Sequence, residues 1–247
     1  MLEKHEDAFG QEIYDYYHGK GGFEIIERDD GHFDVSEGPK IYFTEFDDWL
    51  ETEKEAMFYV HGKILDIGCG ARRYSLYLQR KGFDIVGTDI SPTTIEVCKL
   101  RGLEKAEVKS IHDIDTNFGV FDTILMLGNN FGLVGSPENA KKILKIFYEI
   151  TSEQGIVVAQ TRDPYKTKMQ EHLDYHQFNI KRGRLAGQMT IRVRYKKIVS
   201  SWFDLLFVSK DELETILKDT GWKIEHYLED KEAEGIYIAI LKKKIFS

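Results

Sequence analysis

Beyond Gly62 the chain alternates short apolar runs with amphipathic stretches of helical length, a rhythm that few folds accommodate. The apolar runs have the length of buried strands and lie at residues 63–67, 84–88, 108–111, 121–127 and 156–161. Helices are predicted between them at residues 74–81, 92–101 and 137–151. The second and third begin at typical caps, because Ser91 and Ser136 each precede a proline. Strands that alternate with helices predict an α/β fold with a doubly wound, mostly parallel sheet.

The last third of the chain departs from this rhythm. Apolar and polar side chains alternate over residues 185–207, which is typical of antiparallel strands with one solvated face, and we interpret about residues 178–207 as an antiparallel insertion. Ser209 and Glu212 have the spacing of a capping box for a helix that ends at Gly221. Two further strands are predicted, at residues 222–227 and 236–242.

Residues 1–60 form a distinct acidic segment, since they hold 17 acidic and 5 basic residues. Their pattern predicts a helix at 6–17, a hairpin at 24–35 and an amphipathic helix at 45–60. Several aromatic side chains here are either core residues or parts of a lid over a substrate: Tyr14, Tyr16, Tyr17, Tyr42, Phe43 and Trp49. The 247-residue chain is therefore predicted to combine an N-terminal lid or substrate segment, 1–60, with one larger domain, 61–247.

The composition argues against several classes of protein. Two cysteines, Cys69 and Cys98, are too few for a disulfide framework or a four-thiolate zinc site, and no HExxH spacing occurs, so no metal is expected. The formal charge of −8 disfavours general nucleic-acid binding, which depends on basic surfaces. No apolar run approaches the roughly 20 residues that span a bilayer, and the first residues are charged, unlike a secretion signal. We therefore expect a cytoplasmic protein without membrane contact.

The turn after the first predicted strand carries the chemistry: Asp66-Ile-Gly-Cys-Gly70 is followed about twenty positions later by Asp89. Glycines let the backbone approach a ligand and a later acidic residue holds ribose hydroxyls, so this pattern predicts a nucleoside-ligand site. Two ligands compete, a dinucleotide and S-adenosylmethionine. The Asp66 carboxylate would repel a pyrophosphate, whereas it favours the ammonium and sulfonium cations of S-adenosylmethionine. Arg73 also stands where the dinucleotide fingerprint requires a third glycine.

At these residues the sequence resembles the class I S-adenosylmethionine-dependent methyltransferases, whose first motif is an acidic residue followed by x-G-x-G. Arg72 replaces a third glycine that family members usually carry. Gly87-Thr-Asp89-Ile-Ser and Phe121-Asp-Thr-Ile-Leu-Met-Leu-Gly128 are also similar to the family, and the resemblance covers roughly residues 60–160. It implies a Rossmann-like, doubly wound sheet of seven mostly parallel strands with an antiparallel C-terminal strand, to which the N-terminal α+β lid segment is added. It also implies an enzyme, a transferase that uses S-adenosylmethionine and releases S-adenosylhomocysteine.

The resemblance further implies roles for individual residues. Asp66 and the backbone of the glycine turn would receive the methionine part of the cofactor, and Asp89 the ribose hydroxyls. Ile90 would pack on the adenine, which Ser110 and Ile111 would approach from the end of the third strand, with Asp113 as an alternative. The complete predicted cofactor site is Asp66, Gly68, Cys69, Gly70, Arg73, Asp89, Ile90, Ser110, Ile111, Leu127 and Gly128.

Candidate acceptor-site residues follow the fourth strand and lie in the lid. Asn129 and Asn130 would sit where acceptors meet the methyl group, and Tyr17 is a candidate lid residue that contacts the substrate. His172 and His176 lie one helical turn apart if residues 166–178 are helical, and they are candidates for a general base or for a pair of metal ligands. Two surface histidines without a chemical role are the alternative. A base is needed only when the acceptor is a hydroxyl or a protonated amine.

The sequence leaves three functions open: methylation of a small molecule, methylation of RNA or protein, and non-catalytic binding of S-adenosylmethionine or S-adenosylhomocysteine. A small-molecule substrate is favoured, because the overall charge opposes RNA and the Asn-Pro-Pro-Tyr-like motif of base-methylating relatives is absent. Seven basic residues within 181–197 form a wall for an anionic substrate, a weak RNA contact, or a solvated face partly neutralised by the acidic segment. A monomer or a homodimer is expected.

Overall fold

The computed structural model describes residues 2–71, 73–230 and 233–244. Arg72, which replaces the third glycine of the first motif, lies outside the described residues. Among the helices of these three stretches, none combines the length and the apolar character that a membrane span requires.

The helices and strands occur in the order predicted from the apolar pattern. The α-helices are α1 (Ala8–Tyr17), α2 (Glu51–Ala56), α3 (Arg73–Arg80), α4 (Pro92–Leu100), α5 (Pro137–Glu149), α6 (Gln170–Lys181) and α7 (Lys210–Ile216). The strands are β1 (Ile25–Arg28), β2 (Phe33–Val35), β3 (Ile64–Ile67), β4 (Ile85–Asp89), β5 (Ala106–Val108), β6 (Phe121–Met126), β7 (Thr151–Arg162), β8 (Gln188–Tyr195), β9 (Ile198–Val199), β10 (Phe203–Leu206), β11 (Trp222–Glu229) and β12 (Ile236–Lys243). Short 3-10 helices occupy Pro39–Phe43, Phe46–Asp48, Ile111–Asp113, Asn130–Val134 and Pro164–Lys166.

Three helices begin at the predicted caps. The hydroxyls of Ser91 and Ser136 each accept a backbone N–H from the first turn of the following helix, at 2.8 and 3.2 Å. Ser209 and Glu212 form the reciprocal hydrogen bonds of a capping box before α7. Because these caps depend on residues close in sequence, the local pattern located the helix starts correctly.

By its contacts the chain divides into two compact units. The first consists of Met1–Trp49, Ile64–Asp113 and Thr190–Phe203, and the second of Leu50–Lys63, Ile114–Met189 and Asp204–Ser247. The first unit contains β3, β4 and β5 with α3 and α4, and the second contains β6, β7, β11 and β12 with α5, α6 and α7. The lid role of residues 1–60 stays a prediction.

The larger sheet has seven strands among the described residues, in the order β11-β12-β7-β6-β3-β4-β5. β3, β4 and β5 are parallel neighbours, and β6 and β7 are also parallel. β12 runs antiparallel to both of its neighbours, β7 and β11. All residues of β3 and β4 are buried, as in parallel strands that are covered on both faces. This sheet confirms the predicted Rossmann-like α/β fold with an antiparallel C-terminal strand.

A second, antiparallel sheet has the order β10-β8-β1-β2, with β9 paired to β8. Pairing of β8 with β1 places Glu27 opposite Arg192. The Glu27 carboxylate accepts hydrogen bonds from Nε of Arg192 at 2.7 Å and from Nε of Arg194 at 2.6 Å, which lower the pKa of Glu27 to about 2. These ion pairs confirm one of the three interpretations of the basic stretch: at Arg192 and Arg194 it is a strand face neutralised by the acidic segment.

The helix predicted at residues 45–60 is wrong in its extent. α2 is much shorter, and Phe46–Asp48 forms a 3-10 helix instead. The reason is aromatic packing: the rings of Phe46 and Tyr77 stack with centroids 4.6 Å apart, and Trp49 packs edge-on against Tyr77 at 5.3 Å. Trp49 is only 4% exposed. Burial of these large rings outweighs the helical preference of the local sequence.

The third strand of the central rhythm also ends earlier than predicted. β5 stops at Val108, three residues before the expected end. The hydroxyl of Ser110 accepts the backbone N–H of His112 at 3.2 Å, and this local hydrogen bond helps to start the 3-10 helix Ile111–Asp113. Ser110 therefore lies just beyond the carboxyl end of β5 rather than within the strand.

Candidate functional site

Asp66 lies near the carboxyl end of β3, where it is 1% exposed. Its carboxylate accepts a 2.5 Å hydrogen bond from the hydroxyl of Ser75 on α3. Burial raises the pKa of Asp66 to about 7; the Ser75 hydrogen bond opposes this shift, and the charge of Asp89 adds to it. An ionised Asp66 is therefore stabilised by a cation or by additional hydrogen-bond donors.

The turn after β3 contains two glycines that adopt left-handed conformations. φ is 66° at Gly68 and 52° at Gly70, a region that residues with side chains rarely adopt. Cys69, between them, donates its N–H to the carbonyl of Thr88 at 2.9 Å, which ties the turn to β4. An ideal Cβ at Gly70 would lie 3.9 Å from the ring of Tyr42. The turn therefore carries no side chain at Gly68 or Gly70, and Tyr42 lies beside it.

Asp89 is the last residue of β4 and is 8% exposed. One carboxylate oxygen accepts the N–H of Gly70 at 3.1 Å, and the other accepts the N–H of Ser91 at 2.9 Å. Burial raises the pKa of Asp89 to about 6, although these backbone hydrogen bonds act against the shift. Asp66 and Asp89 are therefore two buried carboxylates near the ends of neighbouring parallel strands, on either side of the glycine turn.

The thiols of Cys69 and Cys98 lie 3.8 Å apart, and that of Cys98 also donates to the carbonyl of Gly70 at 3.0 Å. The hydrogen bond with Cys98, together with burial, raises the pKa of the Cys69 thiol well above its usual value. A protonated, buried thiol is a poor nucleophile. Cys69 is therefore suited to act through its backbone, which agrees with its place in the turn.

The other predicted cofactor residues of the first unit occupy the same edge of the sheet. Arg73, at the start of α3, hydrogen-bonds the hydroxyl of Tyr74 and lies 4.4 Å from the centre of that ring. Ile90 follows β4 and is 42% exposed, while Ser110 and the buried Ile111 follow β5. Because the carboxyl ends of parallel strands meet at one edge, the structure brings these residues together with the glycine turn.

The remaining predicted residues near a strand end belong to the second unit. Leu127 is buried directly after β6, and the N–H of Gly128 is hydrogen-bonded to the side-chain oxygen of Gln160 on β7. Asn129 has a left-handed φ of 64°, and the 3-10 helix begins at Asn130. In the described part of the chain, Oδ1 of Asn129 is buried without a hydrogen-bond partner. A polar group at this position is suited to contact a ligand.

The predicted histidine pair lies on α6, one helical turn apart as expected. Nδ1 of His172 is 3.0 Å from the hydroxyl of Thr167, and the ring of His176 lies 6.0 Å from the ring of Tyr165. In the first unit, Tyr17 is the last residue of α1 and is 39% exposed. The roles of these three side chains in catalysis or substrate binding stay predictions.

Sequence reasoning missed a buried acidic pair in the first unit. Glu12 on α1 is fully buried, and within the described residues neither of its carboxylate oxygens has a geometrically well-formed hydrogen bond. Glu24, 5% exposed, is its acidic neighbour. Burial and the interaction with Glu24 raise the pKa of Glu12 to about 9. A signal was present, since Glu12 follows the buried Ala8 by four residues and therefore lies on the same face of α1.

Comparison with known proteins assigns the family. The profile of a family described as a methyltransferase domain matches residues 42–227 of the 247-residue chain. The chain belongs to this methyltransferase family. The match includes both buried carboxylates and the glycine turn, and it confirms the resemblance that the sequence motifs suggested.

A solved methyltransferase is similar over nearly the whole chain. The crystal structure of a SAM-dependent methyltransferase from Bacteroides fragilis, in complex with S-adenosyl-L-homocysteine, aligns with 99% of this chain and 98% of that chain. The TM-score is 0.83 and the sequence identity is 27%. The similarity extends over the N-terminal segment as well as the central sheet, and S-adenosylmethionine is the cofactor of this methyltransferase family.

Two named methyltransferases are similar to parts of the chain. The glycine/sarcosine N-methyltransferase of Parasynechococcus marenigrum is 26% identical over 130 residues, which cover 47% of this chain and 46% of the relative. The 2-heptyl-1-hydroxyquinolin-4(1H)-one methyltransferase of Mycobacteroides abscessus is 37% identical over 65 residues, covering 26% of this chain and 29% of the relative. The chain therefore spans less than half the length of either enzyme.

The residues of the first unit fit this cofactor. Asp66 and Asp89 are buried carboxylates whose ionised forms need a cation or hydroxyl donors, and S-adenosylmethionine carries both. Between them, the left-handed glycines keep the backbone free of side chains at the position where a ligand would approach. A pyrophosphate would instead add negative charge beside two carboxylates, so the donor set suits the sulfur nucleoside rather than a dinucleotide.

Proposed function

We propose that this protein transfers the methyl group of S-adenosylmethionine to a small-molecule acceptor. The observation that carries the proposal is the pair of buried carboxylates, Asp66 and Asp89, near the ends of neighbouring parallel strands and beside a turn with two left-handed glycines. This arrangement suits a ligand that combines positive charge with ribose hydroxyls. Family membership supports the reaction class.

We assign the cofactor contacts as the motifs imply. Asp66 and the backbone of the glycine turn hold the methionine part, Asp89 the ribose hydroxyls, and Ile90 the adenine, with Ser110 and Ile111 nearby at the end of β5. Asn129, Asn130 and Tyr17 are assigned to the acceptor, and His172 and His176 are candidate bases. Leu127, Gly128, Cys69 and Arg73 complete the proposed cofactor site.

The contribution of the protein is binding and alignment. When bound, the cofactor would supply a methyl group on a positively charged sulfur. The lone pair of the acceptor attacks the methyl carbon, and the sulfur leaves with the electron pair of the broken bond. Asp66 offers negative charge to this cation, and the backbone hydrogen bonds of Asp89 fix that carboxylate for the ribose. Holding two reactants in the aligned geometry contributes ~7 to 11 kcal/mol to such a reaction. The exclusion of water by buried residues matters more here than a nucleophilic side chain.

A small-molecule acceptor is favoured by three observations. The relatives named above are a glycine/sarcosine and a quinolone methyltransferase. The chain carries a net charge of −8, which opposes contact with a nucleic-acid backbone. Arg192 and Arg194, within the most basic stretch of the sequence, are already paired with Glu27.

A methyl-transfer assay tests the proposal. The protein is incubated with S-adenosylmethionine labelled in its methyl group and with glycine, sarcosine, a hydroxyquinolone, bulk RNA or a protein extract as acceptors. Label is expected in a small molecule, and Asp89→Asn should lower kcat/KM about 5- to 150-fold, the equivalent of about 1 to 3 kcal/mol. Glu107→Gln, an exposed carboxylate on β5, should retain the wild-type rate.

The other outcomes separate the alternatives. Label that enters only RNA or protein would refute the small-molecule acceptor. Binding of S-adenosylmethionine without transfer to any acceptor would instead support a binding module.

A further inference from the structure

The buried pair Glu12 and Glu24 has no part in the cofactor contacts assigned above. Glu12 is fully buried on α1, and Glu24, just before β1, is 5% exposed. Ser36 donates a 2.6 Å hydrogen bond to one carboxylate oxygen of Glu24. The hydroxyl of Ser36 has a single proton, so its only hydrogen bond as a donor goes to Glu24 and none is available to Glu12.

Two adjacent buried carboxyl groups do not both ionise unless a cation lies between or beside them. Without one, Glu12 keeps its proton, consistent with the rise of its pKa to about 9 through burial and its contact with Glu24. Burial of such a pair lowers stability relative to apolar side chains of similar size. In the ligand-free protein the pair therefore carries one proton and one negative charge.

Tyr42 connects this pair with the glycine turn. Its ring lies 3.9 Å from the ideal Cβ position of Gly70, and it packs edge-on against Phe9 of α1 at 5.1 Å. Burial and the charges of Glu24 and Glu12 raise the pKa of the Tyr42 hydroxyl. All of these residues lie within the first unit. The acidic pair is thus on the Tyr42 side of the turn that we assign to the methionine part of the cofactor.

We propose that Glu12 and Glu24 bind the ammonium group of the methyl acceptor, so that the substrate is a small alkylamine; this inference rests on the function proposed above. An alkylammonium has three N–H donors and one positive charge. These match the two oxygens of Glu12, which have no well-formed hydrogen bond among the described residues, and the negative charge of Glu24. The aromatic face of Tyr42 adds a surface that favours cations. Glu12 and Glu24 precede residues 42–227, the part matched by the family, which suits a role in acceptor choice rather than in cofactor binding.

The pair also has a chemical role for such an acceptor, because a protonated amine has no lone pair to react. An oxygen of the ionised Glu12 carboxylate takes one proton from the bound ammonium: an N–H bond breaks, an O–H bond forms, and the nitrogen keeps the electron pair. Charge is conserved, since ammonium and carboxylate become a neutral amine and a neutral carboxylic acid.

Calorimetry on the protein saturated with S-adenosylhomocysteine tests this inference without relying on turnover. Three amines are each compared with the analogue in which a hydroxyl replaces the amine: glycine with glycolate, methylamine with methanol, and ethanolamine with ethylene glycol. At least one amine should bind while its hydroxyl analogue does not. Repeating the titration of the wild-type protein in buffers of different ionisation enthalpy should show about one proton released, because the ammonium replaces the proton that the pair shares.

Isosteric variants assign the site. Glu12→Gln and Glu24→Gln should each weaken amine binding by about 30-fold or more, while S-adenosylhomocysteine affinity changes less than about threefold. Glu37→Gln, an exposed glutamate of the same segment, should bind the amine as the wild type does. Thermal unfolding of each variant verifies the fold, and the proton release of the wild type remains a test if a variant does not fold.

The contrary outcomes separate this inference from the proposed function. Tight S-adenosylhomocysteine binding with no amine binding, or with amine binding that Glu12→Gln leaves unchanged, would refute the amine site and leave the methyltransferase intact. Absence of S-adenosylhomocysteine binding would refute both.

Discussion

At the scale of single residues, Asp66 is the proposed cofactor contact whose charge bears most directly on ligand choice. Burial holds its pKa near 7, so the carboxyl group is partly protonated at neutral pH. A cation bound beside it favours the ionised form, and binding then releases the proton. In the proposed site the cofactor and a proton compete for this carboxylate. The hydrogen bond from the Ser75 hydroxyl stabilises the ionised form and so favours the cofactor.

This competition predicts how cofactor affinity depends on pH. The Kd for S-adenosylmethionine should rise as the pH is lowered from 8 to 5, by up to about tenfold per pH unit below pH 7. Asp66→Asn should bind more weakly at pH 8 and lose most of this dependence, because only Asp89 then titrates, below about pH 6. Calorimetric titrations across this range measure the effect, with Glu107→Gln as the control. A wild-type Kd that does not change with pH would contradict the role of Asp66.

At the scale of secondary-structure elements, α1 and α4 are joined by a shared carboxylate. Asp7 caps α1 by accepting the N–H of Gly10 at 3.0 Å, and it also accepts the hydroxyl of Ser91 at 2.7 Å and the N–H of Thr93 at 3.2 Å. An ideal Cβ at Gly10 would lie 2.1 Å from Oγ of Ser91. Gly10 is therefore required for the close approach of the two helix starts, rather than for an unusual backbone angle.

We expect Gly10→Ala to destabilise the protein. Alanine normally favours a helix over glycine by roughly 0.5 to 1 kcal/mol, but here its methyl group overlaps Ser91 and Asp7, and overpacking of this kind costs about 1 to 3 kcal/mol. Denaturant unfolding measures the free-energy change. Gly21→Ala is the matched control, since nothing lies within 4 Å of its ideal Cβ position. Equal stability of the two variants would show that α1 does not approach α4 in this way.

The helix caps could be predicted from the sequence, whereas the length of one helix and the buried acidic pair could not. The caps at Ser91, Ser136 and Ser209 were located correctly because each depends on residues three positions apart. The long helix at 45–60 was predicted wrongly, because the ring of Phe46 stacks on that of Tyr77, and these two residues are far apart in sequence. In the proposed cofactor site the glycine turn directly follows Asp66, and Asp89 ends the next strand about twenty residues later, so the sequence alone carries both signals. The acidic pair of Glu12 and Glu24 could not be predicted, because these two residues become neighbours only in the folded chain.

At the scale of the whole molecule, the buried carboxyl groups determine how stability depends on pH. The pKa is raised to about 9 at Glu12, about 7 at Asp66 and about 6 at Asp89, so the folded chain binds more protons than the unfolded chain between about pH 4 and 9. The stability that these groups contribute is present at low pH, and it is lost as the pH rises through the pKa that each group has in the folded protein. Glu27 acts in the opposite sense, since its pKa of about 2 makes it stabilising above about pH 4.5.

The ligand-free protein should therefore be most stable near pH 5 and should lose stability toward pH 9. Calorimetric Tm values at pH 5, 7 and 9 measure this trend. Glu12→Gln should reduce the loss between pH 7 and 9, because the amide does not ionise, whereas Glu37→Gln should behave as the wild type. A Tm that rises steadily from pH 5 to 9 would show that these carboxyl groups are not buried as described.

Binding of S-adenosylmethionine at the turn between Asp66 and Asp89 is tested by a calorimetric titration. The wild-type protein is titrated at pH 8 with S-adenosylmethionine, S-adenosylhomocysteine and NAD, and the titrations are repeated with Asp89→Asn and with Glu107→Gln. This assignment predicts micromolar binding of both sulfur nucleosides, no binding of NAD, and a loss of about 1 to 3 kcal/mol only in Asp89→Asn. Binding of NAD in place of the sulfur nucleosides, or an Asp89→Asn variant with wild-type affinity, would contradict it.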